Sequence, residues 1–99
     1  MDIIKKSEGG KLTYTVKGNL DTVTSPDLQK ELDAQDPSVR EIVFDFSALD
    51  YISSAGLRVM LTANKRMMAS GGTMTIANTR PAVREVFDMT GFSDIFTMA

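Results

Sequence analysis

Apolar and polar residues alternate with a period of two over residues 11–17. Leu12, Tyr14 and Val16 fall on one side, and Lys11, Thr13, Thr15 and Lys17 on the other. This predicts a half-buried strand over "KLTYTVKG". "SEGG" at 7–10 reads as a hairpin turn joining it to a weaker strand over residues 2–6. "GNLDTVTS" at 18–25 follows as a loop, with Ser25 as helix N-cap and Pro26 at the first helical position. Leu28 and Leu32 give that helix a narrow apolar face, and "DPS" at 36–38 ends it. "EIVFDF" at 41–46 is almost wholly apolar and predicts a central strand. "SALDYIS" at 47–53 reads as a loop.

The next helix is expected from about Ser54 to Ala69. Leu57, Met60, Leu61 and Met68 recur at helical spacing, and "SGG" at 70–72 closes it. "TMTIA" at 73–77 is a further strand. In "NTRPAVREVFDMTGF", Thr79 is the expected cap, Pro81 lies in the first turn, Val83, Val86 and Phe87 form the apolar face, and Gly91 follows the C-terminus. A short strand over 95–97 is expected to finish the chain. The alternation of strand and helix in the middle implies parallel pairing through right-handed crossovers, whereas the opening hairpin is antiparallel. The prediction is a small mixed α/β sheet with helices packed on it.

At 99 residues the chain is expected to be one domain, residues 1–99, with an apolar share of 42% that suits a folded protein. It has no cysteine and no histidine. Disulfides, thiolate nucleophiles and the commonest general base and metal ligand are therefore absent. The net charge of −2 and the scattered cations lack the basic stripe of nucleic-acid binders. The N-terminus shows no signal-peptide pattern, and no apolar run approaches the ~20 residues that span a bilayer. The expectation is a cytoplasmic protein without direct membrane insertion.

Two segments enter helices from apolar strands: residues 18–25 and residues 47–56. Sites in α/β sheets lie at such strand ends, so both loops are expected at one edge of the sheet. "DYISSAGLRVML" at 50–61 is the more informative. A serine at a helix start caps it, and losing the cap costs about 1 kcal/mol. Either Ser53 or Ser54 suits the N-cap, and the pair allows one serine to cap while its neighbour faces outward. A phosphate there would add about −1.5 to −2 charges at a helix end that tolerates anions, changing the surface without unfolding the helix. Gly56 has two readings: close backbone packing, or a bare surface beside the serines. Asp21 reads either as a turn residue or as a polar neighbour of the serine site, Asp50 as a solvated loop residue, and Asp45 as a carboxylate held by backbone donors. A serine nucleophile needs an adjacent base. None is present in sequence, and there is no Walker-type loop. No enzymatic activity, metal or cofactor is expected.

"FDFSALDYISSAGLRVML" resembles the signature of STAS domains, in particular the bacterial anti-sigma-factor antagonists. "GNLDTVTSPDLQKEL" is similar to the family's Gly-x-Leu-Asp turn and first helix, and "PAVREVFDMTGFSDIF" to its closing helix. The resemblance implies a four- to five-stranded mixed sheet with about three to four helices mainly on one side. It also implies a function: the unmodified domain binds an anti-sigma factor that is a serine kinase, the sigma factor is released, phosphorylation ends binding, and a PP2C-type phosphatase restores it. Ser54 is the matching phosphate acceptor, with Ser53 the lesser candidate. Asp21, Ser53, Ser54, Ala55, Gly56 and Arg58 are the implied partner-binding residues. Many antagonists carry an acid where this chain has Ser53 and a second hydroxyl where it has Ala55. The alternative is a STAS subunit of a membrane ABC-type transport complex that is not phosphorylated.

Overall fold

The computed structural model describes residues 1–99. Strand β1 (Asp2–Glu8) pairs antiparallel with β2 (Lys11–Leu20) across Gly9 and Gly10, whose φ angles of 53° and 86° are both positive. That is the backbone of a two-residue hairpin turn matched to the twist of its strands, and glycine adopts it without strain. Helix α1 (Ser25–Asp33), strands β3 (Glu41–Asp45) and β4 (Leu49–Ile52), helix α2 (Ser54–Ala69), strand β5 (Thr73–Ala77), helix α3 (Pro81–Thr90) and strand β6 (Thr97–Met98) follow in order. A 3-10 turn over Phe92–Asp94 joins the last two.

The sheet order is β1-β2-β3-β5-β6, with every pair after the hairpin parallel. Leu12, Ile42 and Met74 stand in register, as do Tyr14, Phe44 and Ile76, and all six are buried. Leu28 and Leu32 of α1, Leu57, Met60, Ala63 and Met67 of α2, and Val83 and Phe87 of α3 join the same cluster. The helices therefore cover one face. The other face presents the rows Thr13, Val43, Thr75 and Thr15, Asp45, Ala77, all partly exposed. Aromatic rings run through the core from Tyr14 to Phe44, Phe46, Phe87, Phe96 and Phe92, with successive centroids 5.2–6.5 Å apart. Tyr14 lies at the head of this chain. Burial first, and the nearby Glu31 carboxylate second, push its hydroxyl up to about 12.

The mixed sheet with helices on one side is as expected, but it has six strands because residues 47–53 are not simply a loop. Within them β4 pairs in parallel with the C-terminal end of β2, Gly18 opposite Leu49 and Leu20 opposite Ile52, with a register shift after Gly18. β2 is correspondingly longer than predicted, and Gly18 at φ 94° supplies the bulge. Thr24, not Ser25, is the N-cap residue of α1, and Ser25 is buried inside the first turn. Arg80, not Thr79, precedes α3, in the extended conformation that a following proline favours. Met68 is 69% exposed, so it is not part of the α2 core face; Val59, Ala63 and Met67 are. The final strand lies slightly later than predicted, since Phe96 turns into the core before β6 begins. No helix is long and apolar enough to cross a membrane.

Candidate functional site

The two loops singled out in the sequence are tied together at the carboxyl ends of β2 and β4. Ser53 N–H donates to Leu20 O at 2.9 Å, directly continuing the Leu20–Ile52 pairing. α2 then starts against that junction. A Cβ on Gly56 would lie 2.9 Å from Leu20 O, 2.9 Å from Leu20 Cγ and 2.8 Å from Ile52 Cγ1. Gly56 is buried, so close packing is its role, and the alternative of a bare surface beside the serines is corrected: the residue supports that surface from below.

The serine pair divides as its sequence position suggests. Ser53 is the N-cap residue, extended at φ −96°, ψ 175°; its hydroxyl accepts from Gly56 N–H at 3.4 Å and its carbonyl from Leu57 N–H at 2.9 Å. Its polar groups are thus used. Ser54 is the first helical residue and is exposed. It borders a shallow hollow with Leu57, Arg58, Leu61, Thr90 and Phe92. Phe92 comes from the segment after α3 and had no sequence signal linking it to the serines. The first turn of α2 contains no acid, so its positive end is not neutralised from within.

Asp21 works within its own loop. Its Oδ1 accepts from Val23 N–H at 2.9 Å, Thr24 N–H at 3.0 Å and Thr24 Oγ1 at 3.1 Å, while its own N–H donates to Thr24 Oγ1 at 2.9 Å. The Thr24 backbone N–H is the main reason its carboxyl titrates below the ordinary aspartate range. This is a turn and capping arrangement. It fixes the approach to α1 and holds Val23, 82% exposed, at the tip of the loop. The link from Asp21 to the serines runs through Leu20 and not through a hydrogen bond of its carboxylate.

Ala55 and Arg58 line a second depression, a groove of about 440 Å³ between α1 and α2, with Thr22, Ser25, Pro26, Gln29, Val59 and Thr62. Ser25 is 3% exposed and its hydroxyl has no hydrogen-bond partner. Arg58 therefore stands on the ridge between the groove and the hollow beside Ser54.

Two acids near the site are structural. Asp45 Oδ1 accepts from Ser47 N–H at 3.0 Å and Asn78 Nδ2 at 3.3 Å, and the Ser47 backbone bond leads in holding its carboxyl below the usual range. That is the backbone anchoring expected of it. Asp50 is not simply solvated: it is ion-paired to Arg80, whose Nε donates to Ser47 O at 2.8 Å. The pair straps β4 to the start of α3. It was not legible in sequence because its members lie thirty residues apart.

The fold defines a small α/β domain in which an exposed serine opens a helix at the junction of β2 and β4, at the edge of a shallow hollow. The chain belongs to the STAS-domain family, whose model matches residues 2–99. It is 41% identical over 91 residues to BtrV of Bordetella bronchiseptica, named an anti-sigma factor antagonist, covering 91% of this chain and 78% of that protein. The anti-sigma F factor antagonist of Paenibacillus polymyxa is 31% identical over 88 residues, covering 87% of this chain and 75% of that protein. The fold matches the Bacillus antagonist SpoIIAA at 19% identity, with a TM-score of 0.79 for its unphosphorylated form (99% of this chain, 87% of that one) and 0.78 for its phosphorylated form (99% and 91%).

Proposed function

We propose that this chain is an anti-sigma factor antagonist controlled by phosphorylation of Ser54. In the unmodified state the face carrying the Asp21 loop, Ser53, Ser54, Ala55 and Arg58 binds an anti-sigma factor that is also a serine kinase, and the sigma factor is set free. Gly56 supports that face by letting α2 sit directly on Leu20. The kinase transfers the γ-phosphoryl group of ATP to Ser54 Oγ. A P–O bond forms at the serine, the bond between the β- and γ-phosphates breaks, ADP leaves, and the hydroxyl proton passes to a base of the kinase. A PP2C-type phosphatase later hydrolyses the phosphoserine, returning the hydroxyl and releasing inorganic phosphate. In this cycle the chain is a binding partner and a substrate, not a catalyst. It acts as one cytoplasmic domain over residues 1–99.

The observation that carries this reading is the exposed Ser54 hydroxyl at the start of α2, beside a Ser53 already committed to the cap, in a chain related to antagonists. Phosphate at that position meets the positive end of a helix and leaves the core untouched, so it alters recognition and not folding. The test has two arms. Incubation with ATP and the anti-sigma kinase it binds, followed by mass spectrometry, is expected to place phosphate on Ser54. Capture of that kinase is expected with the wild type and not with Ser54→Asp. A kinase that binds but modifies neither Ser54 nor Ser53, or that binds Ser54→Asp as well as wild type, defeats the proposal.

A further inference from the structure

Arg58 is the side chain near Ser54 whose charge is uncommitted. Arg66, Arg80 and Arg84 pair with Asp33, Asp50 and Asp88, and Arg40 donates to Pro37 O at 3.2 Å. Arg58 is exposed and its guanidinium makes no ion pair or hydrogen bond. It lines the same hollow as Ser54. Residues four apart on a helix hold their Cβ atoms about 5–6 Å apart. Helical Cα–Cβ bonds also lean toward the N-terminus, so Arg58 reaches back over the turn that Ser54 begins. An anion followed four residues later by a cation is the better of the two orders on a helix. No acid in the first turn competes for the guanidinium. The next cation along α2, Lys65, lies about 16 Å from Ser54 along the helix axis, beyond side-chain contact.

We propose that Arg58 is the receptor for the Ser54 phosphate: the guanidinium binds the phosphate one turn away, and the same contact draws this cation off the groove between α1 and α2. The inference rests on Ser54 as the modified residue. A guanidinium fork matches two phosphate oxygens at once. The unpaired N–H groups of the first turn of α2 bind the same anion from below. Phosphorylation then changes two neighbouring surfaces. The hollow bounded by Leu57, Leu61 and Phe92 gains an anion at its rim, and the groove loses Arg58, the one charged residue in its lining. A partner that reads both surfaces is refused at both.

The test does not need the kinase. Phosphoserine is installed at position 54 during translation, so failure of the Arg58 contact is distinct from failure of a kinase to modify Ser54. A cation beside the phosphate favours its dianion and lowers its second ionisation. By ³¹P titration, the second pKa in the wild type is expected about half a unit below that in Arg58→Ala, with most of the shift retained in Arg58→Lys. The Arg58 Nε–H resonance is expected to move when the phosphate is present. Because Arg58 is exposed, both variants are expected to keep the wild-type circular dichroism spectrum. Equal second pKa values in the wild type and Arg58→Ala, or an Nε–H resonance that ignores the phosphate, overturns the proposal.

Discussion

At Gly56 two residue-level effects oppose one another, and magnitude decides between them. Alanine is favoured over glycine inside a helix by about 1 kcal/mol. Here, however, the added methyl would stand 2.9 Å from Leu20 O, a backbone atom fixed in the β2–β4 pairing, and 2.8 Å from Ile52 Cγ1. Overpacking of this kind costs about 1–3 kcal/mol, and a backbone atom cannot turn aside as a flexible side chain can. Gly56→Ala is therefore expected to be net destabilising in urea denaturation, and a stabilised variant would refute the packing account. The serines separate by the same method. Ser53→Ala removes the cap and is expected to cost at most about 1 kcal/mol, toward the low end because its bond to Gly56 N–H is long at 3.4 Å. Ser54→Ala, at an exposed position with no bond to lose, is expected to leave stability within about 0.5 kcal/mol of wild type.

At the scale of elements, α2 shows which part of the pattern can be read and which cannot. Its limits, Ser54–Ala69, and its Ser53 cap were visible in the sequence, because serine before an apolar period and glycine after it are strong local signals. Its inner face was less clear. Met67 and Met68 are chemically equal, and each lies seven residues after an apolar residue, Met60 or Leu61, so spacing alone does not choose between them and Met68 was the wrong choice. Met67 is 3% exposed and Met68 69% exposed, so Met67→Ala is expected to cost about 2–5 kcal/mol while Met68→Ala stays within about 0.5 kcal/mol. Matching losses at both positions would mean that the helix is rotated from the orientation described. β4 escaped notice for another reason. "LDYI" has buried Leu49 and Ile52 at its ends and exposed Asp50 and Tyr51 between them, so it carries no period of two. Its pairing is set by Leu20, which lies opposite Ile52 but far from it in sequence, and by the bulge at Gly18. The serine site was therefore legible as residues, but the junction that aims it was not.

The whole molecule stores charge-dependent stability at both ends of the pH scale, and the sign differs at each. Asp21, Asp33, Asp36, Asp45 and Asp88 all titrate below their ordinary range in the folded chain; the leading causes are the backbone N–H groups of Thr24, Ser38 and Ser47 for Asp21, Asp36 and Asp45, and the side chains of Gln29 and Ser93 for Asp33 and Asp88. A depressed pKa means that the folded state binds fewer protons than the unfolded one. Its contribution is fully present above the unfolded aspartate value of about 4 and is lost as pH falls through the folded value. Tyr14 has the opposite sense: its pKa is raised from 10.0 to about 12, so its contribution is present below 10 and is lost as pH rises through 12. With no histidine in the chain, no side-chain type of ordinary pKa titrates in between. Urea midpoints are therefore expected to be flat from about pH 5 to 9 and to fall at both extremes. Asp21→Asn is the informative variant: the amide oxygen can still accept the Val23 and Thr24 N–H groups but cannot be protonated in this range. It is expected to fall less steeply than wild type below pH 4 while keeping the flat middle. An unchanged acid limb in Asp21→Asn would mean that the loop holding Val23 is not fastened by the carboxylate, although its Oδ1 accepts from Val23 and Thr24 N–H.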